Sequence, residues 1–262
     1  MIVIKSSSEL DAMRRVGRMT ASVRNHLAAM VRPGITTLDL GNAAFELIRK
    51  LGGTSAFYGY HGFPGQICVS VNEEVVHGIP GSRVIKEGDI VSIDTGITFG
   101  GFIGDTAITV AAGEINDEKK KLLAVSQAAL DAGVAKAVAG NRLGDISHAI
   151  QTVVEAAGFS IVREFVGHGI GRNMHEDPQI PNFGKPGHGP KLKPGMTLAI
   201  EPMVNAGVPD LKILADGWTA VTLDGKPSAH FEHIVLITTG EPEILTWRPR
   251  EALPEMLGIP PL

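Results

Sequence analysis

The chain of 262 residues has a single cysteine, Cys68, so no internal disulfide can form. That suits a reducing compartment, and a cytoplasmic location is the expectation. Charge of one sign is also scarce. With 24 Lys and Arg against 28 Asp and Glu, the net charge is −4, and nothing recommends a broad basic face for nucleic acid. The one basic cluster, Lys119 to Lys121, follows Asp117 and Glu118 and reads as the solvated start of a helix. No run approaches the roughly 18 apolar residues of a membrane span. The opening MIVIKSSSELDAMRR lacks the apolar core and small-residue cleavage site of a secretory signal, so none is expected. Glycine, by contrast, is abundant at 32 residues, which suits tight turns and close backbone approaches. Composition is otherwise ordinary for a soluble globular chain, with 44% hydrophobic and 20% charged residues.

The chain repeats itself. IKEGDIVSIDTG (85–96) and LKPGMTLAIEPM (192–203) match at an offset of 107, which aligns Asp94 with Glu201. GDTAITVAAGE (104–114) and FEHIVLITTGE (231–241) match at an offset of 127, which aligns Asp105 with Glu232. The second half therefore carries about twenty extra residues between its two acids. Helical stretches match too, at an offset of 106: Gly34 with Gly140, Asp39 with Asp145, Leu47 with Val153, Gly52 with Gly158. The expected architecture is α/β (α+β), with halves at about 9–114 and 117–241 fused in one domain spanning 1–262. No linker-like composition divides them.

Periodicity predicts helices over 9–31, capped by Ser8 and Asp11, and over the stretch after Thr36 or Thr37 as far as Gly52. Further helices are predicted over 117–139 and 143–157. Strands are predicted over 69–76, 84–93, 102–111 and 161–166, and at the Glu201 and Glu232 segments. A hairpin is expected over 213–222, and loops over 57–68 and 177–194. The tail 248–262, with four prolines, reads as a covering segment without regular structure.

Equivalent residues of two similar halves meet near their pseudo-two-fold axis. Four carboxylates gathered there repel one another unless a cation lies between them. Asp and Glu oxygens suit divalent metals, and an added imidazole shifts the preference toward Mn, Fe, Co or Zn. Four acids exceed one ion's needs, and bridging carboxylates commonly hold two metals about 3.5–4 Å apart. Four unrelated surface acids are the alternative. His168, in FVGHGIGRNMHEDP, is the candidate nitrogen ligand, with flanking glycines that let the backbone turn sharply. His175, seven residues on, reads as a supporting or substrate-facing donor.

The motifs HGIPG, IDTG, GDTAIT, GHGIGRNMHEDPQIPNFG, AIEPM and HFEHIVLIT resemble, in order, those of type I methionine aminopeptidases. The resemblance runs from the first helix to about Glu243. It implies the pita-bread fold, two pseudo-two-fold related αβ halves around a central antiparallel-rich sheet. It also implies removal of N-terminal methionine from nascent polypeptides with a small second residue. Asp94, Asp105, His168, Glu201 and Glu232 match the family's ligands of two divalent ions (Co, Mn, Fe or Zn). Asp105 and Glu232 would bridge the pair, Asp94 would hold one ion, and His168 with Glu201 the other.

By the same resemblance, Glu201 is a general base, His175 a donor to the oxyanion, and His77 a residue at the substrate's first peptide bond. The methionine pocket falls on Phe57, Tyr60, Phe63, Cys68, Met174 and Trp218, with His61 nearby. N-terminal peptides of nascent proteins are the implied partners, with ribosome docking left open and a monomer expected. Prolidase and aminopeptidase P share the ligand set but usually add an N-terminal domain, whereas only some ninety residues precede the first acid here. Type II enzymes carry a helical insertion that about twenty extra residues are too few to build. A non-catalytic scaffold of the same fold would be expected to lose ligands.

Overall fold

The computed structural model describes residues 1–247; the tail 248–262, expected to cover the domain, lies outside them. Helix α1 (Ser7–Met30) starts earlier than predicted. Its cap is Ser6, not Ser8: the Ser6 N–H donates to the Glu9 carboxylate at 3.0 Å. Ser8 and Asp11 have the right spacing for a cap, but Asp11 accepts from the Arg14 guanidinium at 2.9 Å instead. Helix α2 (Thr37–Lys50) is capped by Thr36. The Thr36 N–H donates to the Asp39 carboxylate at 2.7 Å, and the Asp39 N–H returns to the Thr36 hydroxyl at 3.1 Å. Helix α3 (Asp117–Lys136) stops three residues before its predicted end. Ala137 leaves helical geometry, and the Asn141 amide takes the carbonyl of Lys136 at 3.0 Å. Helix α4 (Leu143–Ala156) follows prediction within a residue.

Several predicted strands are cut or moved by residues at positive φ. The run 69–76 breaks at Asn72 (φ 54°) into Cys68–Val71 and Glu74–Val76. The run 84–93 begins only at Asp89, because Lys86–Asp89 is a turn closed over Gly88 (φ 86°). It then continues through Asp94 to Phe99. The run 161–166 shrinks to Ser160–Ile161, with a separate strand at Gly167–Gly169. Part of the predicted 177–194 loop is the strand Glu176–Ile180, since it pairs with Gly167–Gly169. The expected hairpin is present as Leu211–Ile213 against Ala220–Thr222.

Each half follows the same order, two helices and then an antiparallel pair, eleven positions long in the first and four in the second. In the first, Asp89–Phe99 pairs along its whole length with Phe102–Ala112. Its other edge takes Cys68–Val71 and Thr54–Ser55. In the second, strands lie in the order Glu243–Ile244, His233–Leu236, Thr197–Ile200, Gly167–Gly169, Glu176–Ile180, all antiparallel. Helices α1 and α2 bury Met13, Val16, Leu27, Leu40 and Ile48 with Val91, Ile93 and Ile97 of the first sheet. Helices α3 and α4 bury Leu130, Ile146 and Ile150 with Leu198, Ile200 and Val235 of the second. Most of the stability of such helices comes from packing an apolar face, so these contacts fix them. Among the described residues no helix is long and apolar enough to cross a membrane.

Helix α1 lies directly on the strand that carries Asp105. A Cβ at Gly104 would stand 2.9 Å from the Val16 carbonyl and closer still to the Thr20 hydroxyl. Gly104→Val therefore pushes the helix off the strand. It should lower the unfolding free energy in urea by about 1–3 kcal/mol. Gly240→Ala, where a Cβ meets nothing nearer than 4.0 Å, should leave it unchanged.

Candidate metal centre

Strand register brings the acids together. Asp94 faces Ala107 across the first ladder, and Asp105 lies two positions along from Ala107. With a side-chain period of two, both acids point to one face. In the second ladder Ile200 faces His233, so Glu201 and Glu232 are level at its end. The halves thus differ by two residues in register, an even shift that keeps each acid pair on one face. The ladders are fastened at the same point. The Glu232 N–H donates to the Ala107 carbonyl at 3.0 Å, and the Thr106 hydroxyl donates to the Glu232 carbonyl at 2.8 Å.

His168 joins from Gly167–Gly169, opposite Ala199. Its Nδ1 bonds to the Gly169 carbonyl at 2.9 Å, which makes Nδ1 the protonated nitrogen. Its Nε2 lies 3.4 Å from Glu201 and 3.9 Å from Asp105. One ligand atom each from Asp105, His168 and Glu232 fall within 4.8 Å of one another. The flanking glycines are needed for a reason other than the expected turn. They sit in an extended strand between two others, where a Cβ on Gly167 would strike the Ala199 carbonyl and one on Gly169 the Asp177 carbonyl.

The electrostatics of this cluster are unfavourable without a cation. Burial raises the pKa of all four acids. Repulsion adds to it: Glu232 and Asp94 act on Asp105, Asp105 and Asp94 on Glu201, and Glu201 and Asp94 on Glu232. Among the described residues the one opposing charge is Arg24, buried behind Thr106, which acts to lower Glu232. One guanidinium does not balance four carboxylates. Asp94 Oδ1, Asp105 Oδ1 and Glu232 Oε1 are buried and accept no hydrogen bond among the described residues. His168 is held down at about 4, by burial and then His175, so its Nε2 lone pair is free at neutral pH. Unpartnered carboxylate oxygens around a neutral imidazole fit a divalent cation.

These groups form the floor of a cavity of about 320 Å³. Every residue singled out in the sequence lines it. Phe57, Tyr60, Phe63, Cys68, Met174 and Trp218 form its apolar wall; Phe63 and Trp218 meet edge-on with ring centroids 5.2 Å apart. Phe57 lies over Gly96, where a Cβ would enter its ring. His61 and His175 stand exposed at the mouth, and the Tyr60 hydroxyl bonds His175 Nδ1 at 2.7 Å. His77 is partly buried edge-on to Phe165 at 5.1 Å, in a left-handed backbone conformation (φ 61°) that is uncommon outside glycine. Burial, then His175, holds His77 at about 4.

Sequence reasoning missed Val76, Phe165, Val166, Met203 and His230, which also line the cavity. His230 is buried, its Nε2 is unpartnered, and it lies 3.8 Å from Glu201. A signal was available: His230 is two residues before Glu232 and so shares its face. His233, one residue after Glu232, turns away to the Thr246 hydroxyl at 2.9 Å.

The raised carboxyl pKa values make the metal-free protein sensitive to pH. Unfolded carboxyls titrate near 4 and unfolded histidines near 6.5. Above about pH 7.5 the unfolded histidines have also lost nearly all their protons, so the carboxyls dominate. There the folded state retains protons that the unfolded state has lost, and stability falls as pH rises. Chelated protein should lose about 1.4 kcal/mol per pH unit for each retained proton between about pH 7.5 and 8. Saturating Mn²⁺ should abolish the slope. Thermal melts across that window check both, and a flat chelated profile would contradict the burial of unpaired acids.

Residues 11–239 match the model of metallopeptidase family M24. Methionine aminopeptidase 1 of Bacillus subtilis is 55% identical over 246 residues, covering 94% of this chain and 99% of that protein. The methionine aminopeptidase of Clostridium perfringens is 54% identical with the same coverage. The crystal structure of methionine aminopeptidase from Thermotoga maritima superposes with a TM-score of 0.93 at 48% identity, covering 95% of this chain and 100% of that one. The pita-bread fold expected from the motifs is the fold of this protein. The matched strands of the two halves gather acids and an imidazole that could hold the cations a metallopeptidase needs, and the relatives agree: the chain belongs to metallopeptidase family M24, among its methionine aminopeptidases.

Proposed function

We propose that this protein acts as one catalytic domain in the cytoplasm. There it removes the N-terminal methionine of nascent polypeptides whose second residue is small, by hydrolysis at a centre holding two divalent ions. The observation that supports this most is the carboxylate and imidazole cluster on the floor of an otherwise apolar cavity. Asp105 and Glu232 would be shared by both ions, Asp94 would serve one, and His168 with Glu201 the other. An oxygen-rich set with one imidazole accommodates Co, Mn, Fe or Zn. When bound, such ions supply Lewis acidity toward water and toward the scissile carbonyl.

The chain's own residues do the rest. Glu201 faces the cavity with its side chain 14% exposed, placed to accept a proton from water. With the Tyr60 hydroxyl as donor to His175 Nδ1, the His175 proton would sit on Nε2, available to the developing oxyanion. Burial, then His61, lowers the His175 pKa and favours this neutral form. His77, neutral and fixed against Phe165, would orient the first peptide bond and the departing amine. Tyr60, Phe63, Cys68 and Trp218 offer rings and sulfur to a thioether, with Phe57 and Met174 completing the wall.

Asp105→Asn should abolish turnover and lower metal occupancy, measured by peptide hydrolysis and elemental analysis. Normal turnover with full occupancy would sink the shared-ligand role. On substrates, Met-Ala peptides should be cleaved and N-acetylated ones refused. Lys-Ala should be refused because the wall strands a charge without partners. Leu-Ala should be discriminated against by only about 1–3 kcal/mol, since apolar pockets separate near-isosteres weakly. Trp218→Ala should raise KM and leave metal content unchanged. Efficient cleavage of Lys-Ala, or of Met-Lys as fast as Met-Ala, would mark a broader aminopeptidase.

A further inference from the structure

The loop that presents Met174 and His175 to the cavity is held by an ion pair outside the cavity. Glu176 closes the loop on itself. Its Oε1 accepts the N–H groups of Arg172 at 3.0 Å and Asn173 at 3.3 Å. Its Oε2 is taken by the Lys5 ammonium at 2.7 Å. The side chains are only 3% and 8% exposed, and among the described residues no other lysine–carboxylate pair is buried on both sides. Neither residue lines the cavity.

Lys5 is itself anchored. It lies just before α1, its N–H donates to the Gly195 carbonyl at 2.9 Å, and Gly195 leads into the Thr197–Ile200 strand that ends at Glu201. The neighbouring glycines keep space for the pair. A Cβ on Gly171 would stand 2.7 Å from both Lys5 Cε and Glu176 Oε1, and one on Gly195 would stand 2.7 Å from Ile4. Arg172 braces the loop from outside, with its guanidinium over the Phe102 ring at 4.4 Å and one nitrogen 3.3 Å from Glu9.

We propose that Lys5, acting through Glu176, is a positioning residue that sets the loop carrying Met174 and His175 against the metal centre. For activity this rests on the methionine aminopeptidase reading; for the loop it does not. A buried ammonium and carboxylate hold each other in place, and removing one leaves the other charged and without a partner. The unpaired Glu176 would turn toward water and release the two loop amides. Met174 and His175 would shift while Asp94, Asp105, Glu201 and Glu232, on other strands, stay where they are; His168, whose ring meets that of His175 at 4.4 Å, is kept in register by its pairing with Ala199.

The test uses the full chain loaded with Mn²⁺. Lys5→Met keeps the stem and removes the charge. On a Met-Ala-Ser peptide it should lower kcat/KM by about 10–100-fold, the scale of a small misplacement transmitted to reacting groups. Mn²⁺ affinity should stay within about twofold, since no ligand moves. For the methyl readout diamagnetic Zn²⁺ replaces Mn²⁺, whose paramagnetism broadens resonances near the centre; in protein labelled at the methionine methyls, with Met174 assigned by Met174→Leu, the Met174 resonance should shift and that of Met30 should not. The double variant Lys5→Met/Glu176→Gln removes both charges and keeps an acceptor for the loop amides, so it should recover most of the activity and the Met174 position. If Lys5→Met does not fold, Glu176→Leu, which removes the acceptor of the two loop amides, carries the same methyl and activity comparison. An unmoved Met174 resonance with wild-type kcat/KM would overturn the proposal, as would a loss of activity matched by an equal loss of Mn²⁺ affinity. Failure of the unaltered enzyme to cleave the peptide would overturn the functional reading alone, because the methyl shift is read without substrate.

Discussion

Buried like charge is the constraint on which this structure turns. Four carboxylates meet where solvent does not reach freely, and burial outranks every other influence on their pKa values. Hydrogen bonds relieve this only in part: Asp94 and Asp105 share one, while three oxygens of the cluster have no donor among the described residues and one arginine stands behind them. A cation converts the cluster from a cost into a source of cohesion. Folding and metal binding are therefore linked, and the fold spends its most regular elements on setting the geometry.

Those elements act through register. The eleven paired positions of Asp89–Phe99 with Phe102–Ala112 leave Asp94 and Asp105 no freedom relative to each other. The bonds from Glu232 to Ala107 and from Thr106 to Glu232 carry that precision into the second half. Glycines at Gly104, Gly167 and Gly169 permit the close contacts that bring α1 and the His168 strand into place. The wall of the cavity comes mostly from loops, 57–63, the 172–176 turn and the 211–222 hairpin, with Cys68 added from a strand. A rigid acid floor under a wall built on loops lets the chemistry stay fixed while the side chain being recognised changes.

Much of this was legible in the sequence because it was written twice. The offsets of 107 and 127 pointed to Asp94, Asp105, Glu201 and Glu232 before any coordinate, and the helices followed from apolar spacing. Backbone events at single residues were not legible. Asn72 and Gly88 interrupt apolar runs that read as continuous strands, and only positive φ reveals the break. Ser8 and Asp11 imitate a cap that Ser6 and Glu9 make, since spacing alone does not say where the chain first turns. His230 escaped notice because a histidine beside an acid is common, and its orientation depends on whether it or His233 shares the face of Glu232. Lys5 and Glu176, 171 residues apart, are linked by nothing in the pattern.

The most direct test is anomalous diffraction at the manganese edge from crystals grown with Mn²⁺. The account predicts anomalous density among Asp94, Asp105, His168, Glu201 and Glu232, at ligand distances of about 2.0–2.6 Å. Carboxyls hydrogen-bonded to one another, with no anomalous peak between them, would contradict it.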